Sequence, residues 1–151
     1  MLSNRAKYAL KAMFALTVLK REERLRLQDI ADRHDIPKMF LNVILFELRK
    51  HGLVRSYRGC QGGYALAKSS RAITLGNIVR IIDGMLAPIA CASVTGYERC
   101  DDCDPHTCLV RYNMRKVRDA ISAILDQTTL EEASRFKPKK QNILSRREIL
   151  E

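Results

Sequence analysis

Apolar residues recur along most of this chain at helical spacing, interrupted once by a short stretch of alternation. From Asn4 to Lys20, Tyr8, Met13, Phe14, Leu16, Val18 and Leu19 are apolar, and Ala6, Ala9, Ala12 and Ala15 are small. This pattern predicts a helix with a wide apolar face, capped by Ser3. Such a face suits burial on more than one side, as in a dimer interface or as the core helix of one domain. After the polar connector Arg21 to Arg26, the run Leu27 to His34 predicts a short helix with Ile30 and Ala31 inward. Asp35-Ile36-Pro37 is a turn, and Pro37 is expected at the first position of a helix reaching His51. In that helix Phe40, Leu41, Ile44, Leu45 and Leu48 have the three–four spacing of a buried stripe, and Gly52 ends it.

Two short helices joined by a three- or four-residue turn form a helix-turn-helix. The alternation follows directly. Val54–Arg58 and Tyr64–Ala67 read as strands, and Gly59, Gly62 and Gly63 supply the tight turn between them. A hairpin in that position is a wing, and Arg55 and Arg58 would place guanidinium groups near a nucleic-acid backbone or minor groove. Thr74 then caps a helix to Asp83 with Leu75, Ile78, Val79 and Ile82 on its buried face. Gly84 ends it and Pro88 keeps the next stretch extended.

Leu109 to Gln127 reads as one helix of 19 residues, roughly 28 Å long. Its stripe of Met114, Val117, Ile121, Ile124, Leu125 and Thr128 would stay uncovered in a monomer, so a second copy is the expected cover. Thr129 caps a further turn, and the polar, basic segment from Lys137 onward is expected to be a loosely ordered tail. The fold expected is mainly α with a small β-hairpin wing: a winged helix-turn-helix over 1–84, a sensor loop over 85–108, a dimerisation helix with its cap over 109–136, and a tail over 137–151.

Charge adds a partner to this picture. Residues 1–70 hold 14 Lys/Arg against 6 Asp/Glu, a net +8, whereas residues 71–151 hold 13 against 11, a net +2. The excess therefore sits on the predicted winged head, as expected of a surface facing a polyanion. No run of about eighteen apolar residues exists and no signal-peptide pattern opens the chain, so a cytoplasmic, membrane-free protein is expected.

Cysteine chemistry is concentrated in one loop. Four of the five cysteines lie in CASVTGYERCDDCDPHTC, spaced C-x(8)-C-x(2)-C-x(4)-C from Cys91 through Cys100 and Cys103 to Cys108. Reduced thiols gathered this closely suit metal binding or redox sensing better than structural disulfides, and the odd count argues against a closed disulfide set. Four thiolates complete a site for either an iron–sulfur cluster or zinc. Thiol-only redox sensing is the further alternative. His106 is an alternative ligand within the loop. Asp101, Asp102 and Asp104 are expected to be solvating loop charges. Cys100-x(2)-Cys103 lacks the strand–turn–helix setting of a thiol oxidoreductase. There is also no phosphate-binding Gly loop and no Ser/His/Asp set, so an enzyme is not expected.

The opening LSNRAKYALKAMFAL, the segment IADRHDIPKMFLNVILFELRKHGLV, the wing RSYRGCQGGYALA, the run ITLGNIVRIIDG and the cysteine loop before a long helix together resemble the Rrf-two family of bacterial winged-helix regulators, with its IscR, NsrR and RirA types. The resemblance covers about residues 1–130, and GLVRSYRGCQGGYALA is its most specific part. It implies a homodimer that binds a palindromic operator in double-stranded DNA, with the long helices crossing at the two-fold axis. Several members hold a two-iron two-sulfur or four-iron four-sulfur cluster on three cysteines of this loop. The recognition-helix contacts map to Lys38, Met39, Phe40, Asn42 and Val43, and the minor-groove arginine of the wing maps to Arg58. Arg49, Arg55 and Tyr57 complete the expected DNA-binding set.

The chain also departs from the family. Relatives often have serines where it has Pro37 and Met39, and commonly proline where Cys60 stands at the wing tip. Cys60 is read as a bystander. Relatives show C-x(5)-C-x(5)-C, on which Cys91 and Cys108 match the outer ligands and Cys100 or Cys103 the middle one. A histidine ligand three residues after the last cysteine is replaced here by Arg111, and the region holding an N-terminal aspartate ligand reads Arg5-Ala6-Lys7-Tyr8.

Overall fold

The computed structural model describes residues 2–20 and 22–135. Its centre is α1 (Asn4–Thr17), whose N-cap Ser3 accepts from the Ala6 amide at 3.0 Å. Ala6, Ala9 and Ala12 are wholly buried together with Met13. Side chains this small let neighbouring backbones approach closely, and α1 packs against most of the other elements of the head. It is thus the core helix of one domain. It ends three residues before the expected Lys20, because Val18, largely exposed, takes the C-cap position.

The helix-turn-helix is α2 (Leu27–His34) and α3 (Lys38–Lys50). Asp35 turns the chain between them at φ 50°, a left-handed conformation that a short polar side chain tolerates. Ile36 is buried beneath the turn, and Pro37 occupies the N-cap of α3 rather than its first turn. Leu41, Ile44, Leu45 and Leu48 are fully buried, each contributing about 1.5–3 kcal/mol by its removal from water. Phe40 does not belong to that stripe. It lies on the opposite face, 54% exposed, because the helix rotates it away from the Leu41–Ile44–Leu48 line.

The wing is β1 (Val54–Tyr57) paired antiparallel with β2 (Gly63–Leu66), in register Val54↔Leu66 through Tyr57↔Gly63. A third strand position completes it. Leu25, in the α1–α2 connector, exchanges both backbone hydrogen bonds with Tyr64 at 3.1 and 2.8 Å. A Cβ on Gly63 would lie 2.7 Å from the Leu25 carbonyl oxygen, so glycine there permits this added pairing.

Helix α4 (Leu75–Asp83) follows, with Thr74 as its cap and Gly84 at φ 81° closing it. Its last residue accepts two bonds from Ser3, one from the amide at 2.9 Å and a short one from the hydroxyl. Helix α5 (Leu109–Gln127) contains no buried residue and rests mainly on α4 and the 3-10 turn Ala90–Ala92 among the described residues. The chain then returns to the head. The Leu75 amide donates to Thr128 O at 3.0 Å and the Leu130 amide to Ile73 O at 2.8 Å, which seats α6 (Leu130–Ser134) with Leu130 fully buried in the core. The expected basic tail 137–151 lies outside the described residues.

Two ion pairs fasten this return. Arg80 holds Asp126 through both carboxylate oxygens at 2.5 and 2.8 Å, and Arg71 holds Glu131. Hydrogen bonding from these guanidinium groups depresses both carboxyls below their ordinary values. A carboxyl whose pKa is lower folded than unfolded contributes stability above its unfolded value, which is lost as pH falls through the folded one. Acid below about pH 4 should therefore loosen the α4–α5–α6 return. The Asp126→Asn variant should show a shallower loss of stability across that limb, read by urea unfolding at a series of pH values. The contribution is small, since Asp126 is half exposed to solvent.

Candidate metal centre and nucleic-acid interface

Two separate sites stand out. The first is the outer face of α3 with the wing. Lys38, Met39, Phe40, Asn42 and Val43 are all exposed on one side of α3, and Met39 is 84% exposed. The helix can present them because its opposite face alone supplies the core. Phe46 continues the exposed face. Arg49 lies over the Phe46 ring at 5.2 Å and donates to Ser56 Oγ at 3.1 Å, so it also joins the recognition helix to the wing. Arg55 and Arg58 project into solvent, and Tyr57 is half-buried beneath the Arg24 guanidinium, 3.7 Å from its ring centroid.

The second site is the cysteine loop. Although the sequence spreads its thiols over eighteen residues, the fold lines them up. Cys91 lies in the 3-10 turn Ala90–Ala92 and is buried, while Cys108 is the N-cap of α5, its sulfur accepting from the Arg111 amide at 3.4 Å. Cys100 and Cys103 bridge these two ends, with thiol contacts running from Cys91 to Cys100, on to Cys103, and from there to Cys108. The tightest group is Cys100, Asp102 and Cys103, whose ligand atoms lie within 4.8 Å of one another. The Cys100 thiol is pushed up to about 12, chiefly because it donates to the Asp102 carboxylate and then to its neighbouring sulfurs. Cys108 is pulled the other way by the Arg111 amide, a hydrogen bond that favours its thiolate.

Arginines on α5 hold the loop closed. The Arg111 guanidinium donates from Nε to Cys91 O and from Nη1 to Pro105 O, both at 2.9 Å, and lies 5.7 Å from the Tyr97 ring centroid. One turn pair further along, Arg118 donates to Ala92 O at 2.5 Å. Sequence reading missed these clamps because their partners are backbone carbonyls, which leave no signature in residue type. The loop acids Asp102 and Asp104 are exposed, as expected of solvating charges, and have partners as well. Asp102 faces Cys100, and Asp104 accepts from the His106 amide at 3.0 Å and the Thr107 hydroxyl at 3.2 Å, folding the turn that delivers Cys108. His106 is exposed and stands outside the close Cys100–Asp102–Cys103 group. Cys60 is exposed at the wing tip and stands outside this group.

The donor set fits a metal or cluster. Neighbouring thiols along this chain would repel one another once ionised, and a bound cation would remove that repulsion. An apolar groove of about 610 Å³ lies beside the loop between α4 and α5, lined by Leu2, Val79, Met114, Ile121 and Leu125 among others. No helix among the described residues is long and apolar enough to cross a membrane.

Comparison with known proteins gives this arrangement a lineage. A family profile described as "Rrf2: Iron-dependent Transcriptional regulator" matches residues 2–135. The rrf2-like HTH-type transcriptional regulator of Rhodobacter capsulatus is 40% identical over 136 residues, covering 87% of this chain and 91% of that one. The solved structure of CymR, the global cysteine regulator of B. subtilis, superposes with a TM-score of 0.73 at 32% identity, covering 89% of this chain and 95% of the other. That of T. potens IscR gives 0.68 at 31% identity, over 88% and 85%. The mainly helical fold with its two-stranded hairpin after a helix-turn-helix thus matches solved regulators, and the chain belongs to the Rrf2 family of winged helix-turn-helix transcriptional regulators.

Proposed function

We propose that this protein is a homodimeric, sequence-specific DNA-binding regulator whose operator affinity is set by a metal centre on Cys91, Cys100, Cys103 and Cys108, an iron–sulfur cluster in the first place. The observation that carries the reading is the convergence of these four thiols at the N-terminus of α5. A cluster bound there would supply a centre whose charge and integrity respond to iron, oxidants or nitric oxide. Relatives named IscR and CymR support a cluster- or thiol-based signal.

The chain's own residues supply the coupling. Cys108 caps α5, Arg111 and Arg118 tie both loop ends to it, and Asp126 at its far end grips α4. Any change of loop shape therefore reaches the head through α5 and α4. A second copy seated on the apolar face of α5 would convert that movement into a change in spacing between two recognition helices. Binding the signal shifts such an equilibrium only by its differential affinity for the two dimer states. The DNA face comprises Lys38, Met39, Phe40, Asn42, Val43, Arg49, Arg55, Tyr57 and Arg58, with Asn42 offering an amide to a base edge and Lys38 a charge to a phosphate. The function is recognition, not catalysis.

Protein purified without oxygen should absorb in the visible, contain iron and acid-labile sulfide, and lose that absorbance in Cys91→Ser or Cys108→Ser. Colourless protein with one zinc per chain would overturn the cluster and leave a zinc-stapled regulator. Metal-free protein whose operator binding follows thiol oxidation would favour the second reading, thiol-only sensing, which the contact between the free thiols of Cys100 and Cys103 also supports.

A further inference from the structure

The arginines of this protein divide into two populations. All four ion pairs among the described residues, made by Arg71, Arg80, Arg118 and Arg135, lie on the α4–α5–α6 side. None involves Arg24, Arg26, Arg55 or Arg58, which are all exposed. The last two belong to the wing. The first two come from the α1–α2 connector, which the sequence presents as an ordinary polar linker.

The Leu25–Tyr64 bridge changes the connector's role. It makes residues 24–26 a third strand position of the wing, and so brings Arg24 and Arg26 to the hairpin that carries Arg55 and Arg58. Both side chains are held there. Arg24 is stacked on the Tyr57 ring at 3.7 Å, and Arg26 donates from Nη2 to Cys60 O at 2.8 Å, across the wing tip. Among the described residues no acid forms an ion pair with either, although Glu22 and Glu23 line the same surface pocket as Arg24. Asp29 accepts from the Arg26 backbone amide at 3.4 Å, and Glu23 from the Lys20 amide at 2.9 Å. A guanidinium has five N–H donors. Arg26 spends one on Cys60, and stacking leaves the edge of Arg24 open. Each is anchored in advance, with donors left over for a bidentate anion.

From this arrangement we infer that Arg24 and Arg26 are phosphate-binding residues of the DNA interface, so that the α1–α2 connector grips the operator backbone beside the wing. Arg55 and Arg58 share the same edge. The contact is to backbone and carries no base information, so it adds affinity and register to whatever sequence α3 reads. The inference rests on the DNA-binding reading above.

The test is the salt dependence of binding by the full chain, measured by fluorescence anisotropy on a random-sequence DNA duplex. Each phosphate contact adds about 0.9 to the slope of log affinity against log salt, so R24A/R26A should lower the slope by about 1.8. R24K/R26K keeps both charges without the stack or the fork, and should keep the slope of the wild type. Slopes that coincide for wild type and R24A/R26A would overturn the inference, whatever happens to affinity at one salt concentration. A lysine double variant whose slope falls as far as that of the alanine variant would overturn it too, since shaping the wing would then be the only role. Failure of the DNA reading looks different, because the wild type itself would then show no salt-dependent binding.

Discussion

If the thiol site holds a metal as proposed, replacing Arg111 with alanine is expected to weaken its retention by about 10- to 100-fold, the usual cost of losing a group that orients the ligands. Arg111 closes the loop through two carbonyls that belong to different ends of it, Cys91 and Pro105, while its amide bonds Cys108. Its loss leaves the outer thiols tethered to separate segments, so a metal must pay the ordering entropy that the guanidinium now covers. Competition against a chromophoric chelator, with cobalt as the reporting ion, measures the effect. Alkylation of buried Cys91 in metal-free protein measures the same clamp without metal, and should accelerate in the variant. Chelator curves and alkylation rates that overlay those of the wild type would remove Arg111 from the site. Lysine at 111 should restore little, because it cannot fork between two acceptors.

Leu130→Ala is expected to cost about 3 kcal/mol of folding stability, within the range for a leucine excised from a close-packed core. Leu130 is fully buried among residues of the head, although the sequence places it after the long helix. The neighbouring bonds to Ile73 and from Leu75 leave no slack for the cavity to collapse. Against a typical total of about 5–15 kcal/mol the loss is large. Urea unfolding should show a lower midpoint with an unchanged slope. A loss below about 1 kcal/mol would mean that α6 is not part of the head's core. The variant also tests the path from α5 to the head, because α6 and the Arg80–Asp126 pair are what return the end of α5 to it.

The legible parts of this protein were the periodic ones. The buried line Leu41–Ile44–Leu45–Leu48, the caps Ser3, Thr74 and Thr129, and the glycine-rich turn of the wing each depend on near neighbours in the chain, so their signals are local. Boundaries were less legible. The first helix stops at Thr17 because Val18 has no core to enter, and Phe40 faces outward because a stripe of five apolar positions is wider than the core it meets. In the cysteine loop, spacing named the donors and could not order them. The order Cys91–Cys100–Cys103–Cys108, the approach of Asp102 to Cys100 and the use of Asp104 as a turn-former come from the loop's folded path.

By itself, then, the sequence determined the winged helix-turn-helix, the basic bias of its N-terminal half, the long uncovered helix and the cluster of thiols, since each is written in residue type at short spacing. Tertiary structure alone decided how these parts are joined. Arg111 and Arg118 reach carbonyls, Leu25 pairs with Tyr64, and Leu130 enters a core built from residues between Ala6 and Ile82. The physical reason is common to the first two and to the amide bond from Leu130 to Ile73 that seats the third. A backbone carbonyl or amide is the same group at every position, so a contact made through it is set by where the fold brings the chain and not by which residue stands there.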